Sequence, residues 1–394
     1  MKLKDIANYV TETYDWNSFD LRTYVTTDSL VANKAGREIA SLRPAKSGRL
    51  IKFKKNDILV SNIRPYLKKI WFANESGSCS NDVLVFRANP GVPPSFLYSC
   101  LLQDQFFNYV MRGTKGSKMP RGDRRQIMEF VIQAPLSAAN EIGSTIFNLQ
   151  KKFDLLHKIN RNLEAMARQL YDYWFVQFDF PDENGKPYKS SGGKMVWNEK
   201  LKREIPEGWT DVRLDSLTSI FTGKKDVAKV KPGSYKFFSC APDPIPSNEY
   251  IIDGDAILVS GNGSYTGRVM FYSGKADLYQ RTYGCIVSDK VGNIMPFLYF
   301  TMKTLFEPYH SGGKHGSSIP YIVLNDLAGF RFPYHPRLVK DFISMISSTF
   351  YRFVNKENDE TELLMIKRDK LLPLLMNGQV SVMPTEVNCD LSHC

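Results

Sequence analysis

The chain has 394 residues, of which 43% are hydrophobic and 13% aromatic, and this composition excludes an intrinsically disordered protein. No stretch approaches the ~20 uncharged apolar residues of a membrane span, and the first residues are not typical of a secretion signal, so we expect a cytoplasmic protein. The formal net charge of +11 favours a polyanionic partner, nucleic acid before an acidic membrane surface, because neutralising phosphates releases counterions.

Residues 1–141 predict a mixed α/β module. Its predicted elements are, in chain order, a short helix at 3–11, strands at 21–26, 58–61 and 81–87, and a helix at 96–109. The strands are assigned from alternating or β-branched and aromatic residues, and the helices from their length and apolar spacing. This arrangement predicts a globular module with its own core.

A basic and aromatic stretch follows position 43, and only Asp57 opposes its cations as far as Lys69. Arginine can read guanine, asparagine can read adenine, and lysine can hold phosphate, so this stretch is the first candidate for DNA contact. The candidate residues are Arg43, Lys46, Arg49, Asn62, Arg64, Tyr66, Lys68 and Lys69. In the alternative interpretation they are solvated surface charges, with Tyr66 and Trp71 in the core.

The middle of the chain carries an apolar repeat at alternating steps of four and three from Ile142 to Trp174, which predicts a coiled-coil helix. The roughly 33 residues involved make a rod on the order of 50 Å long. The seam in this helix is Ile146, Leu149, Phe153, Leu156, Asn160, Leu163 and Leu170. An ordinary amphipathic helix packed on a core is the alternative. The helix should end near Gln177, because Pro181 cannot continue it.

The second half repeats the order of the first. Residues 257–260 match 58–61, residues 297–299 match 96–98, and residues 313–320 match 113–120, all at offsets within a residue or two of 200. A duplicated module explains a constant offset. The loop after residues 257–260 corresponds to the loop after 58–61, and its candidate DNA-binding residues are Asn262, Ser264, Tyr265 and Arg268.

Two matching glycine-containing loops are the other candidates for DNA contact, since glycine allows a close backbone approach. The donors in and beside them are Lys115, Ser117, Lys118 and Arg121 in the first copy and Lys314, His315, Ser317 and Ser318 in the second. The alternative is a simple turn held by Pro120 and Pro320. His315 is expected to be a surface or core histidine rather than a metal ligand.

A second helical run follows, with Phe350, Leu364 and Leu371 on its apolar stripe, and a tail without pattern ends the chain. The predicted boundaries are a first module at 1–141, a helix and linker start at 142–179, a second module at 180–341, a helix at 342–378 and a tail at 379–394. Because the second helix must bring the chain back, we expect an α+β fold in which two pseudo-symmetric α/β modules are separated by two long antiparallel coiled-coil helices.

Motifs for catalysis are missing from the sequence. It contains neither the [DN]-P-P-[YFW] loop of adenine methyltransferases nor a G-x-x-x-x-G-K-[ST] phosphate loop. Residues 181–186 superficially resemble a nuclease carboxylate-lysine cluster, but their Asn and Gly favour a turn. Neither the six cysteines nor the five histidines have zinc-site spacing, so we expect a non-catalytic chain without metal or cofactor.

The segment that ends the first helix is rich in uncommon residues. It reads Tyr171-Asp-Tyr-Trp-Phe-Val-Gln-Phe-Asp-Phe-Pro181 and closes with Arg203-Glu-Ile-Pro-Glu-Gly-Trp209. This segment closely resembles the central conserved region of the DNA-specificity (S) subunits of type I restriction-modification systems. The resemblance extends over nearly the whole chain and is weakest within the modules.

The resemblance implies that each module is a target-recognition domain for half of a bipartite double-stranded DNA sequence. It also implies that the helices set the spacer and dock two methylation (M) subunits that bring S-adenosylmethionine. Motor-nuclease (R) subunits using ATP and Mg²⁺ would join the complex. Two alternatives remain open from the residues alone: a coiled-coil scaffold joining two protein-binding modules, and a methyltransferase fusion, which the missing motifs disfavour.

Overall fold

The computed structural model describes residues 1–15, 20–41, 43, 49–114, 119–313, 315, 319–351 and 357–382. None of the helices in these ranges combines the length and the apolar character needed to cross a bilayer. Most of the tail at 379–394 and residues 352–356 of the second predicted helix lie outside them.

The first part of the chain alternates short strands with short helices and ends in one long helix. Its elements are α1 (Leu3–Ile6), β1 (Ala7–Tyr9), β2 (Thr13–Asp15), β3 (Tyr24–Val25), β4 (Arg49–Phe53), β5 (Ile58–Ser61), β6 (Ile70–Phe72), β7 (Gly77–Cys79), β8 (Val83–Ala88), α2 (Pro94–Leu102), α3 (Asp104–Arg112), α4 (Arg124–Met128) and α5 (Ala139–Tyr171). The 33-residue α5 continues as a π-helical turn at Asp172–Val176. Its end at Gln177 confirms the predicted helix end.

The second part repeats this succession and adds a hairpin at its start. Its elements are β9 (Met195–Asn198), β10 (Arg203–Pro206), β11 (Thr210–Arg213), α6 (Leu214–Leu217), β12 (Thr218–Thr222), β13 (Tyr235–Phe238), β14 (Ile245–Ser247), β15 (Ile252–Ser260), β16 (Val269–Leu278), β17 (Thr282–Val287), α7 (Met295–Thr301), α8 (Glu307–His310), α9 (Leu324–Ala328), β18 (Arg331–Tyr334), α10 (Pro336–Tyr351) and α11 (Glu357–Met376). The second helical run is confirmed as α10 and α11.

Packing divides the chain into two compact units. Unit 1 is Met1–Lys158 with Glu360–Cys394, and unit 2 is Ile159–Asp359. The division falls within α5, so each unit contains one module, one half of α5 and one helix from the end of the chain. The predicted domain boundaries stay predictions, because each compact unit combines a module with helical turns that the sequence assigns to separate helical segments.

The internal repeat is confirmed by the strand order. In unit 1 the central sheet runs β1-β8-β5-β6, and in unit 2 the strands β12-β17-β15-β16 follow the same order, extended there by β13 and β14. Each of these sheets is entered from a four-residue helix, α1 or α6. Unit 1 has a further four-stranded sheet, β2-β4-β7-β3, and unit 2 has two further two-stranded sheets, β10-β9 and β11-β18.

Each unit closes its core against helix turns from both ends of the chain. In unit 1, Ile142 and Ile146 of α5 pack in one cluster with Leu372, Leu375 and Met376 of α11. Gln150 and Lys152 of α5 contact Arg368 and Glu360, so residue numbers rise along α5 as they fall along α11. The two helices are therefore antiparallel within unit 1.

In unit 2 the continuation of α5 is the aromatic centre of the core. Tyr171, Trp174 and Phe175 each contact the Phe342 ring of α10, at centroid distances of 6.1, 6.1 and 5.3 Å. Rings of this size bury ~150–250 Å² each and dominate the apolar stabilisation of a core. Most of the uncommon aromatic run is therefore buried structure, with the exception of Tyr173, which is 37% exposed.

The seam residues differ in how deeply they lie. Ile146, Phe153, Phe350 and Leu364 are buried, whereas Leu149, Leu156, Asn160, Leu163, Leu170 and Leu371 are half-buried. The Asn160 Oδ1 atom has no hydrogen-bond partner among the described residues. The described part of the chain therefore offers no amide partner that would let this side chain fix the register.

Three sequence-predicted elements need correction. The helix predicted at 3–11 ends at Ile6, because residues 7–9 pair as an edge strand with β8. The helix predicted at 96–109 is broken at the extended residue Gln103, whose side-chain Nε2 donates to the Cys100 carbonyl. The strand predicted at 21–26 is reduced to Tyr24–Val25, because residues 20–23 form a turn in which the Asp20 carboxylate accepts a hydrogen bond from the Arg22 amide.

Candidate nucleic-acid interface

In each unit, a loop that leaves the central strand meets the segment that precedes a short helix. In unit 1 the Arg64 amide donates to the Pro120 carbonyl at 2.9 Å, and the Gly122 amide to the Asn62 carbonyl at 3.3 Å. In unit 2 the Gly263 amide donates to the Pro320 carbonyl at 3.0 Å, and the Ile322 amide to the Gly261 carbonyl at 2.9 Å. In both units the loop after the central strand thus meets the segment that follows the predicted glycine-containing loop, and Arg121 and His315 are the candidates of that second set within the described residues.

We call these paired segments loop 1 (residues 62–69 with 119–124) and loop 2 (residues 261–268 with 319–323). The backbones of residues 62–69 and 261–268 correspond at an offset of 199. The Ser61 amide donates to the Lys69 carbonyl and the Ser260 amide to the Arg268 carbonyl, while the Asn62 amide donates to the Asp82 carbonyl and the Gly261 amide to the Arg281 carbonyl. The predicted correspondence of the two loops is therefore confirmed.

Loop 1 is built around two residues in the left-handed conformation. Arg64 and Lys68 both have φ of 51° and flank a 3-10 turn at Pro65–Leu67. A left-handed residue other than glycine costs ~1–2 kcal/mol, so the surrounding structure must hold both. The turn leaves the Tyr66 ring 51% exposed. The Arg64 side chain is exposed too, and it makes no hydrogen bond or ion pair with any residue in the described part of the chain.

The two lysines of loop 1 have partners inside unit 1. The Lys69 ammonium donates to the Thr27 carbonyl at 2.6 Å, and its burial lowers its pKa below the ordinary lysine value. The Lys68 ammonium lies 2.9 Å from an oxygen of Asp104. Of the loop 1 candidates, Arg64 and Tyr66 are therefore the side chains that face outward most freely.

Arginines before and within α4 extend the positive edge beside loop 1. Arg121 is exposed and forms an ion pair with Asp82 at 3.2 Å, and the backbones of Arg121 and Ile63 form a bridge. Arg124 and Arg125, which the sequence analysis missed, are exposed at the start of α4. Their proximity to Arg121 in the run Arg-Gly-Asp-Arg-Arg was the signal that could have found them.

The remaining candidates lie at the base of loop 1, away from it, or outside the described residues. Asn62 is 9% exposed, and its Oδ1 is buried without a hydrogen-bond partner among the described residues, so this side chain belongs to the base of loop 1. Arg49 begins β4 in the other sheet, and both it and Arg43 are exposed. The candidates outside the described residues are Lys46, Lys115, Ser117, Lys118, Lys314, Ser317 and Ser318.

Loop 2 presents a different set of groups on the same frame. Tyr265 is 45% exposed, and the Arg268 guanidinium lies over its ring, 5.0 Å from the centroid. The Arg268 Nη2 donates to the Ala241 carbonyl at 2.7 Å, which fixes the guanidinium plane. Ser264 is exposed, and Asn262 forms a backbone bridge with Tyr321.

Two further residues border loop 2. The His315 Nε2 lies 3.3 Å from Asp326, and its ring is stacked on Tyr321 with centroids 5.2 Å apart. Arg281, which the sequence analysis missed, is exposed, and its guanidinium makes no hydrogen bond or ion pair with any described residue. Its position beside the loop follows from the Gly261 hydrogen bond and could not be read from local pattern.

Residues 181–186 form a turn. The Asp182 carboxylate accepts the amides of Asn184 and Lys186, each at 2.8 Å, and its own amide donates to the Lys186 carbonyl. Within the described ranges, no group of three His, Cys, Asp or Glu side chains could hold a metal ion. The carboxylate here is engaged by backbone amides, as the turn interpretation predicts.

Comparison with known proteins shows which protein family this chain resembles. Residues 206–362 match the family model described as the type I restriction modification DNA specificity domain. The chain is 28% identical over 183 residues to the type I restriction enzyme EcoDI specificity subunit of Escherichia coli, covering 45% of this chain and 40% of that protein. It is 23% identical over 322 residues to the MjaIX specificity subunit of Methanocaldococcus jannaschii, covering 74% and 70%.

A solved structure shows a similar fold. The crystal structure of a type I restriction-modification system S subunit from M. genitalium superimposes with a TM-score of 0.58 at 14% identity, covering 98% of this chain and 96% of that one. The alignment with the E. coli protein spans only about two fifths of that protein's length.

Loop 2 provides a matched pair of glycines for testing its conformation. Gly263 and Gly267 have φ of +82° and +84°, but a Cβ at Gly267 would lie 2.4 Å from the His310 carbonyl oxygen, whereas one at Gly263 meets nothing within 4 Å. We expect Gly263→Ala to lower the free energy of unfolding of unit 2 by ~1–2 kcal/mol. Gly267→Ala should cost about 2 kcal/mol more, because backbone must shift. Urea titration of both variants measures the difference, and equal losses would contradict the close approach of Gly267 to His310.

Proposed function

We propose that the chain is a DNA specificity subunit of a type I restriction-modification system and that it binds double-stranded DNA at a bipartite target, with each unit reading one half. The match of residues 206–362 to the specificity-domain family model and the similarity to specificity subunits support this proposal. The observation that supports this proposal most strongly is the pair of loops on one shared frame. Loop 1 and loop 2 have corresponding backbone hydrogen bonds but present different side chains. A shared backbone frame with different side chains suits the reading of two half-sites that differ in base sequence.

The charges around the loops suit a DNA duplex. Loop 1 contains Arg64, Arg121 and Arg124 and is bordered by Arg125, and loop 2 contains Arg268 and is bordered by Arg281. Arginine can pair with guanine through two hydrogen bonds or hold a phosphate, and an exposed tyrosine such as Tyr66 or Tyr265 can contact bases through its ring. The net charge of +11 supplies a favourable, salt-dependent contribution to binding.

We further propose that the helices dock two methylation subunits, which bring S-adenosylmethionine, and that motor-nuclease subunits using ATP and Mg²⁺ join the complex. The chain itself is non-catalytic in this proposal. Its support is an open groove of about 690 Å³ within unit 2, between the second half of α5 and α10. Leu163, Met166, Leu170, Met345 and Ile346 line it, and Met166 and Met345 are 65% and 56% exposed. Apolar side chains exposed in this way on helices are typical of a protein contact.

The deciding experiment is long-read methylome sequencing of a host that expresses this chain with its neighbouring methylation subunit, compared with a host lacking only this chain. We expect a bipartite adenine-methylated motif that disappears with the chain. If the two proteins copurify and no methylated motif is found, the result favours the alternative in which the chain is a coiled-coil scaffold. Duplex binding then separates the alternatives, because specific binding should weaken with a log-log salt slope of roughly −0.9 per phosphate contact.

Arg64 offers a test of base reading by loop 1. We expect Arg64→Ala to lower affinity by about 1–3 kcal/mol and to relax the preference at one base pair of one half-site, because one double hydrogen bond is lost. Competition binding against single-base variants of the target measures this. Lys55→Ala is the control, because Lys55 is exposed and precedes β5, at the opposite end of the strand from Arg64. An equal loss of affinity for all DNA sequences, with a shallower salt dependence, would instead indicate that Arg64 contacts a phosphate.

The length of the helices should set the spacer. Removing one heptad from α5 and the matching heptad from α11 shortens each helix by about 10 Å, which corresponds to about three base pairs. We expect the methylated motif to keep both half-sites and to lose about three spacer positions. A changed half-site sequence with an unchanged spacer would contradict a ruler.

A further inference from the structure

Unit 1 contains a buried lysine that neither the basic stretch nor the apolar seam accounts for. The Lys34 side chain is only 3% exposed, and its ammonium lies 2.8 Å from Asp104 of α3 and 3.0 Å from Asp369 of α11. A lysine is seldom buried to this extent unless it is paired, because desolvating its charge is costly. The two carboxylates therefore hold Lys34 in one place.

The network continues on the helix side of Lys34. The Arg368 guanidinium, 2% exposed, donates to Asp369 at 2.9 Å and to the Gln150 side-chain carbonyl at 2.7 Å. The Gln150 amide donates in turn to Asp154 at 2.9 Å. Although burial acts to raise it, the hydrogen bond and charge of Arg368 and Lys34 hold the pKa of Asp369 below its ordinary value. Lys34 is thus tied to α11 and, through Arg368, to α5.

The network also continues on the loop side. The second oxygen of Asp104 accepts the Lys68 ammonium at 2.9 Å. In the backbone, the Asn33 amide donates to the Leu67 carbonyl at 2.9 Å and the Lys34 amide to the Lys68 carbonyl at 3.0 Å. Both the side chain and the backbone of Lys34 therefore hold the end of loop 1.

The conformation of loop 1 requires such a hold. Asn33, Lys34, Arg64 and Lys68 account for four of the seven non-glycine residues with positive φ in the described part of the chain. At the corresponding positions of loop 2, 199 residues later, the left-handed residues are Gly263 and Gly267, which adopt this conformation without a Cβ penalty. Unit 1 keeps long cationic side chains where unit 2 uses glycine, and strain of this kind persists only where neighbours over-determine it.

We infer that Lys34 is a positioning residue for DNA recognition by unit 1: it pins loop 1 to α3, α11 and α5 so that Arg64 and Tyr66 are presented in one orientation. This inference rests on the proposed function of loop 1. It predicts that removing the ammonium affects the reading of one half-site and leaves the other unaltered, because loop 2 has glycines in place of the pinned residues.

The test compares Lys34→Met with the exposed control Lys55→Met in the full chain assembled with its methylation subunit. We expect discrimination against single-base changes to fall about tenfold in one half-site and to stay unchanged in the other. Unaltered discrimination in both half-sites would overturn the inference. Equal losses in both would overturn it as well, since Lys34 and loop 1 both belong to unit 1 and the inference confines the effect to the half-site that unit 1 reads.

Hydrogen exchange gives a readout that does not depend on DNA. The Leu67 and Lys68 amides donate to the Arg64 and Pro65 carbonyls, each at 2.9 Å. In Lys34→Met, a peptide covering residues 62–69 should exchange its amide hydrogens faster, while peptides from α2 should exchange at the unmodified rate. Unchanged exchange in that peptide would count against the pin. If the unmodified complex methylates no bipartite motif, the proposed function fails, and the exchange result still decides whether Lys34 orders loop 1.

Lys34→Met leaves two carboxylates close to a vacated site and could prevent folding of unit 1. Asp369→Asn is the milder second variant, because Asp369 is 41% exposed and the amide keeps an acceptor for Lys34. We expect the same half-site-specific loss with a smaller fold-change. If Asp369→Asn folds and reads both half-sites as the unmodified chain does, the network does not position loop 1.

Discussion

The fold depends on one continuous helix whose apolar face belongs to two cores. The first half of α5 packs Ile142 and Ile146 against α11 in unit 1, and its continuation packs Tyr171 and Phe175 against α10 in unit 2. Neither module closes its core with its own strands and short helices alone. Gly143 lies where α5 approaches α2 so closely that a Cβ would be 2.6 Å from the Ser95 hydroxyl. Each module thus depends on its own part of this helix to close its core.

Much of this architecture could be predicted from the sequence, for reasons that are local. The steps of four and three along α5 and the stop imposed by Pro181 depend on residues close together in the chain. The duplication was visible because Ser61 and Ser260, or Gly113 and Gly313, keep a near-constant offset. The two modules have the same order of central strands and helices because their sequences repeat the same order of local patterns.

The candidate site was less predictable, because its properties depend on distant partners. Lys68 and Lys69 resemble Arg64 in sequence, yet Asp104 and the Thr27 carbonyl engage them, and no local pattern announces these contacts. Arg281 comes beside loop 2 only through strand pairing. The break at Gln103 similarly depends on a buried side chain that replaces a lost helical partner for the Cys100 carbonyl. Candidates outside the described residues, such as Lys115 and Ser317, stay predictions.

The loops explain how one frame can serve two recognition tasks. Their defining hydrogen bonds join backbone to backbone, so the side chains at those positions can change without loss of the frame: Asn62 corresponds to Gly261, Arg64 to Gly263 and Asp82 to Arg281. A long side chain at a left-handed position costs ~1–2 kcal/mol that glycine does not. Unit 1 accepts this cost and offsets it with contacts around Lys34, whereas unit 2 avoids it with glycine. The two units therefore share a frame but differ in how it is stabilised, which ties the freedom to vary a loop's chemistry to residues outside that loop.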